Sequence, residues 1–196
     1  MKVRQSAANE LSNEQIQVLI TGKFGDGCLV PNSRAKYHPE INFNYYYSTN
    51  SIHKEYIEYK KKLLGNLCIT SINEIMNMGF KPAPIYRISS ICSKAITEIA
   101  CEDLNISLDR MNELGLALWF FDDGSLHKIK YFYNLNTQRY SKEVVENIIA
   151  PFLKNRFSII AKPTIERKKD GREFWYLRVG KFDGAFIISE ILKNII

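Results

Sequence analysis

Two mostly apolar stretches of helical periodicity lie about half a chain apart, and both end in the same way. One ends at Asp26, which is followed by Gly27, and the other ends at Asp123, which is followed by Gly124. Glycine readily takes the left-handed conformation that stops a helix. The pattern therefore predicts two buried helices that end at Asp26 and Asp123.

Serine residues mark the predicted starts of helices. Ser12 has Gln15 three residues later, and this capping box predicts a helix from Ser12 to Asp26. Three more serines precede stretches of helical periodicity and are predicted N-caps: Ser51, Ser107 and Ser141. Pro151 is expected to kink or end the helix that follows Ser141. Shorter helices are predicted at residues 94–101 and from about Asp183.

Alternation of apolar and polar residues with a period of two predicts the strands. The predicted strands cover residues 41–48, 72–76, 85–89 and 131–138. A hairpin is predicted around the two-residue turn Asp170-Gly171, with Tyr176 and Arg178 on one face of its returning strand. Each of these strands presents one polar face, which is either solvated or used for binding.

Several segments recur in the same order along the chain. Asp123 lies 97 residues after Asp26, and the helix containing Lys142 lies 88 residues after the helix containing Lys54. A strand containing Tyr176 follows one containing Tyr86 by 90 residues. These similar offsets indicate an internal duplication, with an additional loop around residues 30–38 of the first copy.

The two aspartates are predicted to lie at the C-terminal ends of helices, which is an unusual place for a carboxylate. The C-terminal end of a helix has partial negative charge, so a carboxylate there is unfavourable unless a cation neutralises it. A single Asp-Gly helix end is common and needs no function. Two of them at matching positions of a repeat favour a pair of ligands for divalent metal ions.

The net charge of the chain bears on the kind of partner it binds. The chain has 196 residues, a net charge of +6 and 45% hydrophobic residues, which is typical of a globular protein with a sizeable core. The excess of basic residues is compatible with a polyanionic partner or with charge that only maintains solubility. No membrane partner is expected, because no apolar stretch is long enough to cross a bilayer and no signal peptide is recognised. An intracellular location is expected.

Taken together, these segments resemble the LAGLIDADG homing endonucleases. The resemblance rests on the two Asp-Gly endings, on residues 116–125 and 135–145, on the strand that ends at Lys181, and on residues 53–56. It is close for the second motif and looser for the first, in which Thr21 replaces a small residue and Lys23 is a charge in an apolar helix.

The resemblance implies an α+β fold built as a pseudo-twofold duplication. Two saddle-shaped antiparallel sheets would lie along the major groove of DNA, and the two motif helices would pack together at the centre. The whole chain would form one compact domain of two repeats, residues 1–104 and 105–196.

The resemblance also implies an active site. Asp26 and Asp123 would bind the metal ions, and the preceding residues, Gly25 and Asp122, would contribute backbone carbonyls. Lys181 would lie near an active site as a catalytic cation. Mg²⁺ is the expected ion, with Mn²⁺ as a substitute and Ca²⁺ as an ion that binds without supporting cleavage.

The resemblance also implies contacts with the nucleic acid. Asn and Gln side chains can hydrogen-bond to adenine, and Arg and Lys side chains can bind guanine or phosphate. Polar residues of the strands and of their flanks are predicted to contact DNA: Asn42, Asn44, Tyr46, His53, Asn134, Asn136 and Gln138. Basic residues of the second hairpin are predicted to do the same: Arg167, Lys168, Lys169, Arg172 and Arg178.

The function implied is cleavage of both strands at a long, asymmetric duplex DNA target by a monomer, as in intron homing. The location would be cytoplasmic in a bacterium or phage and organellar in a mitochondrion or chloroplast. The alternative is an RNA-binding maturase, with intron RNA as partner, or a cleavage-deficient binding protein on the same fold. Thr21 and Lys23 leave a further alternative open: they either weaken the first active site, or Lys23 faces solvent with no consequence.

Overall fold

The chain divides into two compact units in a computed structural model, Met1–Asp103 and Leu104–Ile196. The structure describes residues 10–32, 45–77, 83–127 and 129–195. The predicted contacts Asn42 and Asn44, and most of the predicted additional loop, lie outside these ranges.

The described part of unit 1 contains three helices and four strands. In chain order they are α1 (Asn13–Thr21), β1 (Cys28–Pro31), β2 (Tyr45–Ser51), α2 (Lys54–Leu64), β3 (Asn73–Asn77), β4 (Ala83–Ser89) and α3 (Lys94–Cys101). A short 3₁₀ turn, Gly65–Leu67, follows α2. The four strands form one antiparallel sheet in the order β1-β2-β4-β3, here called sheet 1.

Unit 2 repeats this sequence of elements after one extra helix. Its elements are α4 (Leu104–Arg110), α5 (Glu113–Asp123), β5 (Gly124–His127), β6 (Phe132–Asn136), α6 (Lys142–Val144), α7 (Ala150–Phe157), β7 (Ala161–Arg167), β8 (Glu173–Val179) and α8 (Phe186–Ile195). Sheet 2 is antiparallel with the order β5-β6-β8-β7. The predicted α+β duplicated fold is confirmed.

Each sheet buries one face and leaves the other polar. In sheet 1, Tyr47 and Ile88 are completely buried, and in sheet 2, Leu135 and Leu177 are completely buried. Residues of opposite parity on the same strands, such as Ser48 and Asn134, are more exposed. The alternation predicted from the sequence is therefore found, and it leaves a polar face on each sheet.

Several predicted helix boundaries are wrong. The capping box at Ser12 is present, but α1 ends at Thr21 rather than at Asp26. Ser107 is buried inside α4, and the motif helix α5 is capped instead by Asn112, whose side chain accepts a hydrogen bond from the Gly115 amide. Ser51 is the last residue of β2.

The helix after Ser141 is not broken by Pro151. Ser141 caps α6 as predicted, and the chain stays helical to Phe157. A wide π-helical turn, Val145–Ile149, directly precedes α7. Proline removes one backbone donor, and a change of helical pitch just before it accommodates the loss without ending the helix.

The strands differ from the prediction at their ends. Two short strands, β1 and β5, were missed because four residues are too few to show a period. β6 ends at Asn136, so Gln138 lies in the following turn. The β7–β8 hairpin has a longer loop than predicted, with the Lys168 amide bonded to the Arg172 carbonyl and Gly171 at φ 83°.

The sheet registers define the duplication more closely than the sequence does. Thr49 lies opposite Ile88 in sheet 1, and Leu135 lies opposite Leu177 in sheet 2. The last strands are therefore related by 89 residues, so Tyr86 corresponds to Trp175 and not to Tyr176 as predicted. The ammonium of Lys54 lies 6.0 Å from the Tyr86 ring, and that of Lys142 lies 5.4 Å from the Trp175 ring, which supports this assignment.

Candidate metal-binding carboxylates and nucleic-acid interface

Asp26 lies in the connection between α1 and β1. After Thr21 the backbone continues in tight turns, with hydrogen bonds from Gly22 to Leu19 and from Lys23 to Ile20. Asp26 follows these turns and is exposed. The helix-dipole argument therefore does not apply to Asp26, because that field is felt only within the last turn.

Asp123 lies where the prediction placed it, at the last position of α5. The next residue, Gly124, is already the first residue of β5 and pairs with Leu135. Asp123 and the preceding Asp122 are both half-buried, whereas Gly25, which precedes Asp26, is buried. What the two motif aspartates share is a place at the start of the first strand of a sheet: Asp123 directly precedes β5, and Asp26 precedes β1 by two residues.

The glycines after the aspartates are needed for space and not for a left-handed conformation. Gly124 is extended at φ −87°, and neither it nor Gly27 has a positive φ, so that expectation is wrong. A Cβ on Gly124 would lie 2.4 Å from the Phe120 carbonyl oxygen, and one on Gly27 would lie 2.6 Å from the ring of Tyr47. Each motif thus brings its strand against neighbouring atoms at a distance that only glycine allows.

Register places polar residues beside the Asp26 end of sheet 1. Cys28 pairs with Ser48, so continuing the same register places Asp26 level with Asn50. Asn50 pairs with Arg87, which in turn pairs with Asn73. These three residues, here called the polar row, are all exposed and share one face of the sheet.

In sheet 2 the polar face is organised around Arg178. Its Nε donates to the Asn134 side-chain oxygen at 3.3 Å, and its Nη2 donates to the Tyr176 hydroxyl at 2.8 Å. Its guanidinium lies 4.5 Å from the centre of the Phe132 ring. Of the predicted contacts, Asn134 and Arg178 are therefore brought together, and Asn136 lies on the same face opposite Tyr176.

The basic residues of the β7–β8 hairpin are mostly paired with neighbouring acids. Lys168 contacts Glu166 at 2.6 Å, Arg172 contacts Asp170 at 2.7 Å, and Arg167 contacts Glu173 at 2.9 Å. Hydrogen bonds from Arg172 hold the pKa of the Asp170 carboxyl below its usual range. These pairs are exposed and weak, so a phosphate can compete with the carboxylates for the cations.

The hairpin residues are also divided between the two faces of sheet 2. Lys168 and Arg172 flank the ring of Phe174, which shares the polar face with Arg178. Arg167 pairs across from Glu173 on the opposite face. Lys169 lies in the exposed loop.

Three further predicted contacts lie on the sheets or in the segments that follow them. Tyr46 is half-buried on β2, two residues before Ser48, and its side chain is therefore on the same face of sheet 1 as that of Ser48. His53 is exposed and is the N-cap residue of α2, where it provides no side-chain cap. Gln138 is exposed in the turn after β6.

Lys181 does not lie beside the carboxylate of its own unit. It follows β8 by two residues, and its ammonium lies 6.0 Å from the Tyr131 ring, near the β5–β6 turn. Asp123 is level with Tyr176, and Lys181 begins a π-helical turn five residues further along the chain, beyond the end of β8. The matching position in unit 1 is Cys92, whose thiol pKa is raised by burial. The role of Lys181 as a cation near an active site stays a prediction.

The sequence missed Asn50, Arg87 and Asn73 because nothing in their local pattern distinguishes them from solvated strand residues. Lys162 was missed for the same reason, although it lies opposite Arg178 on the polar face of sheet 2. Pairing across strands is the signal that identifies all four, and it requires the register of the sheets.

The residues that depart from the family pattern in the first motif are both accommodated. The hydroxyl of Thr21 donates to the Val18 carbonyl at 2.7 Å inside the protein. The ammonium of Lys23 donates to the Glu102 carbonyl at 2.7 Å, at the end of α3. Neither residue leaves an unsatisfied group in the first motif.

The donor set at the two aspartates fits a hard divalent cation. No cluster of three His, Cys, Asp or Glu side chains occurs among the described residues, so a soft-metal site of zinc type is not found there. Mg²⁺ is commonly bound by one or two carboxylates, with water and substrate phosphates completing its shell. Single carboxylates at the edges of polar sheet faces fit that mode of binding. Within the same residues, no helix is long and apolar enough to span a membrane.

These features define a protein of the LAGLIDADG class. A model of the LAGLIDADG DNA endonuclease family matches residues 16–183, and the chain belongs to that family. No curated protein matches the chain.

Solved structures share its fold at low sequence identity. The homing endonuclease I-WcaI bound to its DNA recognition sequence is 20% identical with a TM-score of 0.76, covering 100% of this chain and 91% of that one. I-DmoI in complex with DNA and Mn is 15% identical with a TM-score of 0.56, and the match covers 92% of this chain and 98% of that one. The N-terminal LAGLIDADG domain of DUF199/WhiA is 14% identical with a TM-score of 0.55, and the match covers 95% of this chain and 84% of that one.

Proposed function

We propose that the protein is a divalent-metal-dependent endonuclease that cuts both strands of duplex DNA. The observation that carries this proposal is the equivalent position of Asp26 and Asp123, each within two residues of the first strand of a sheet with a polar face. Membership of a DNA endonuclease family supports the same conclusion. I-DmoI was studied with DNA and Mn, which supports Mg²⁺ or Mn²⁺ as the cofactor here.

Asp26 and Asp123 would hold the metal through their carboxylate oxygens, each serving one DNA strand. When bound, the ion supplies a Lewis acid for the phosphodiester and lowers the pKa of a water that acts as nucleophile. The backbone around each aspartate is held in place by close contacts, those of Gly27 with Tyr47 and of Gly124 with Phe120. This packing positions the carboxylate without depending on a flexible loop.

The polar faces of the sheets would bind the DNA. Asn134 and Arg178 have the hydrogen-bonding groups that read adenine and guanine in the major groove, and Lys168 and Arg172 suit phosphate. The two faces carry different side chains, so the expected target is asymmetric. Both halves lie in one chain, which favours a monomer as the active species.

Replacement of the two carboxylates tests the proposal. Asp26→Asn and Asp123→Asn should each abolish double-strand cleavage of a target selected from a random duplex library, while binding to that target in EDTA changes little. The reason is that the carboxylates hold metal, whereas affinity comes from the sheets. Asp109→Asn, an exposed carboxylate on α4, is the matched control and should cut at the wild-type rate. Unchanged double-strand cleavage by Asp123→Asn would overturn the mechanism.

The same experiment separates the nuclease from its alternative. A maturase or a cleavage-deficient binding protein would release no cut duplex from the library with Mg²⁺ or Mn²⁺. Thr21 and Lys23, which would weaken the first active site if they loosened the motif, both have hydrogen-bond partners in the structure. The geometry therefore gives no separate support to the alternative.

A further inference from the structure

We propose that Arg87 binds the DNA phosphate next to Asp26, so that the two halves hold the duplex by different means. The proposal rests on the endonuclease function and adds a residue that neither the motif nor the local sequence indicates. It assigns a phosphate contact to unit 1 at a position where unit 2 has a tyrosine.

The position of Arg87 follows from the sheet register. Asp26 is level with Asn50 when the β1–β2 pairing is continued by two residues, and Asn50 is directly opposite Arg87. β1 and β4 are separated by the single strand β2, so the two backbones are about 10 Å apart. Arg87 lies on the polar face at this end of the sheet. A phosphate bound there would contact the guanidinium and would lie close to a metal ion held by Asp26.

Arg87 is also available for a ligand. It is exposed, and its side chain forms no hydrogen bond or ion pair with the described part of the chain. The other basic residues on the described strands are engaged: Lys162 with Asp183, Arg167 with Glu173, and Arg178 with Asn134 and Tyr176. Among these strand cations Arg87 is the one whose donors have no acceptor.

Its neighbours strengthen this interpretation. Asn50 and Asn73 flank Arg87 on the same face, and both are exposed, with no side-chain hydrogen bond to any described residue. They supply neutral amide groups and no competing carboxylate. A guanidinium presents its donors as a fixed fork that matches two phosphate oxygens, which makes arginine suited to this contact.

Unit 2 lacks this arrangement at the same place. The residue corresponding to Arg87 is Tyr176, and its hydroxyl already accepts a hydrogen bond from Arg178. Arg178 lies two residues further along β8, away from the level of Asp123. The phosphate beside Asp123 therefore has no equivalent free cation on the strands of its own unit that the structure describes.

Binding without metal tests the contact independently of cleavage. Affinity for a pool of random-sequence duplexes is measured by fluorescence anisotropy in EDTA over a series of salt concentrations. Arg87→Ala should weaken binding and reduce the slope of log affinity against log salt by about 0.9, the value for one phosphate contact. Arg87→Lys should keep that slope because it keeps the charge. Lys94→Ala is the control, since Lys94 is an exposed lysine of the same unit on α3.

Nicking assays then locate the contact. With Asp123→Asn as background, cutting depends on Asp26, and with Asp26→Asn as background it depends on Asp123. Adding Arg87→Ala should slow nicking of the selected target by at least tenfold in the first background and by much less in the second. A salt slope that is unchanged in Arg87→Ala, or a loss of preference at one base pair only, would overturn the proposal. Failure of the endonuclease function itself would instead show as no cut duplex from the wild-type protein, and the salt slope in EDTA would still test the contact.

Discussion

Sheet 1 and sheet 2 have the same strand order and antiparallel pairing, but their polar faces engage their cations differently. Unit 2 has the larger net charge, +4 from 15 basic and 11 acidic residues, against +2 from 12 and 10 in unit 1. Its strand cations are nevertheless all engaged by partners, whereas unit 1 has the unpaired Arg87. Net charge of a unit therefore does not show how many of its cations are available to DNA.

The same comparison extends to the two carboxylates. Asp123 ends a helix, and Asp26 lies several residues beyond one, yet both precede the first strand of a sheet. The duplicated feature is thus the junction with the sheet and not the helix end. Backbone topology was retained in both halves while the helix end and the polar face changed. Substitutions at matching positions should show which half tolerates a change and why.

The largest expected difference is at a buried position on the second strand of each sheet. Leu135 and its counterpart Thr49 are both buried, but the Thr49 hydroxyl has no hydrogen-bond partner among the described residues. Leu135→Ala should lower the free energy of unfolding by about 2–5 kcal/mol, through lost burial and a cavity. Thr49→Val should raise it by about 1 kcal/mol, because the buried unsatisfied hydroxyl is removed.

Urea denaturation of both variants and of the wild type measures the two changes in the free energy of unfolding. Changes of opposite sign in the free energy of unfolding, with the larger change in Leu135→Ala, would agree with the prediction. A loss of stability in Thr49→Val would mean that the hydroxyl has a partner and that the two positions are alike.

A second difference concerns the glycines after the aspartates. Gly124→Ala should lower the free energy of unfolding by about 1–3 kcal/mol, because the new methyl group would lie 2.4 Å from the Phe120 carbonyl oxygen, a backbone atom. Gly27→Ala should cost less, because its nearest contact, at 2.6 Å, is the side chain of Tyr47. Thermal unfolding monitored by circular dichroism ranks the two variants. A greater loss in Gly27→Ala would show that the buried Tyr47 ring is the more rigid neighbour.

The smallest expected difference is at the ends of two corresponding helices. α2 ends at Gly65 with φ 51° and ψ −123°, and α7 ends at Ser158 with φ 58° and ψ 28°. Ser158→Gly should raise the free energy of unfolding by about 0.5–1 kcal/mol, because glycine takes the left-handed conformation at lower cost. Gly65→Ala should lower it by about 1 kcal/mol or more. Chemical denaturation resolves both, and a destabilised Ser158→Gly would mean that the serine side chain contributes more than its backbone strain costs.

Local sequence determined the features that depend on neighbouring residues. The capping box at Ser12, the cap at Ser141 and the α3 helix were predictable because a few adjacent side chains decide them. The alternation that buries Tyr47 and leaves Asn134 on the polar face was predictable for the same reason. The duplication and both motif aspartates also followed from sequence, since repeats preserve order and spacing.

Tertiary structure decided what depends on distant residues. Whether α1 ended at Thr21 or at Asp26 depended on the tight turns that lead into β1, and these are set by the pairing of β1 with β2. The polar row exists only because register places Asn50, Arg87 and Asn73 side by side across three strands. The separation of Lys181 from Asp123 has the same cause. A strand fixes which face a residue occupies, but only its pairing with other strands fixes the neighbours that the residue meets there.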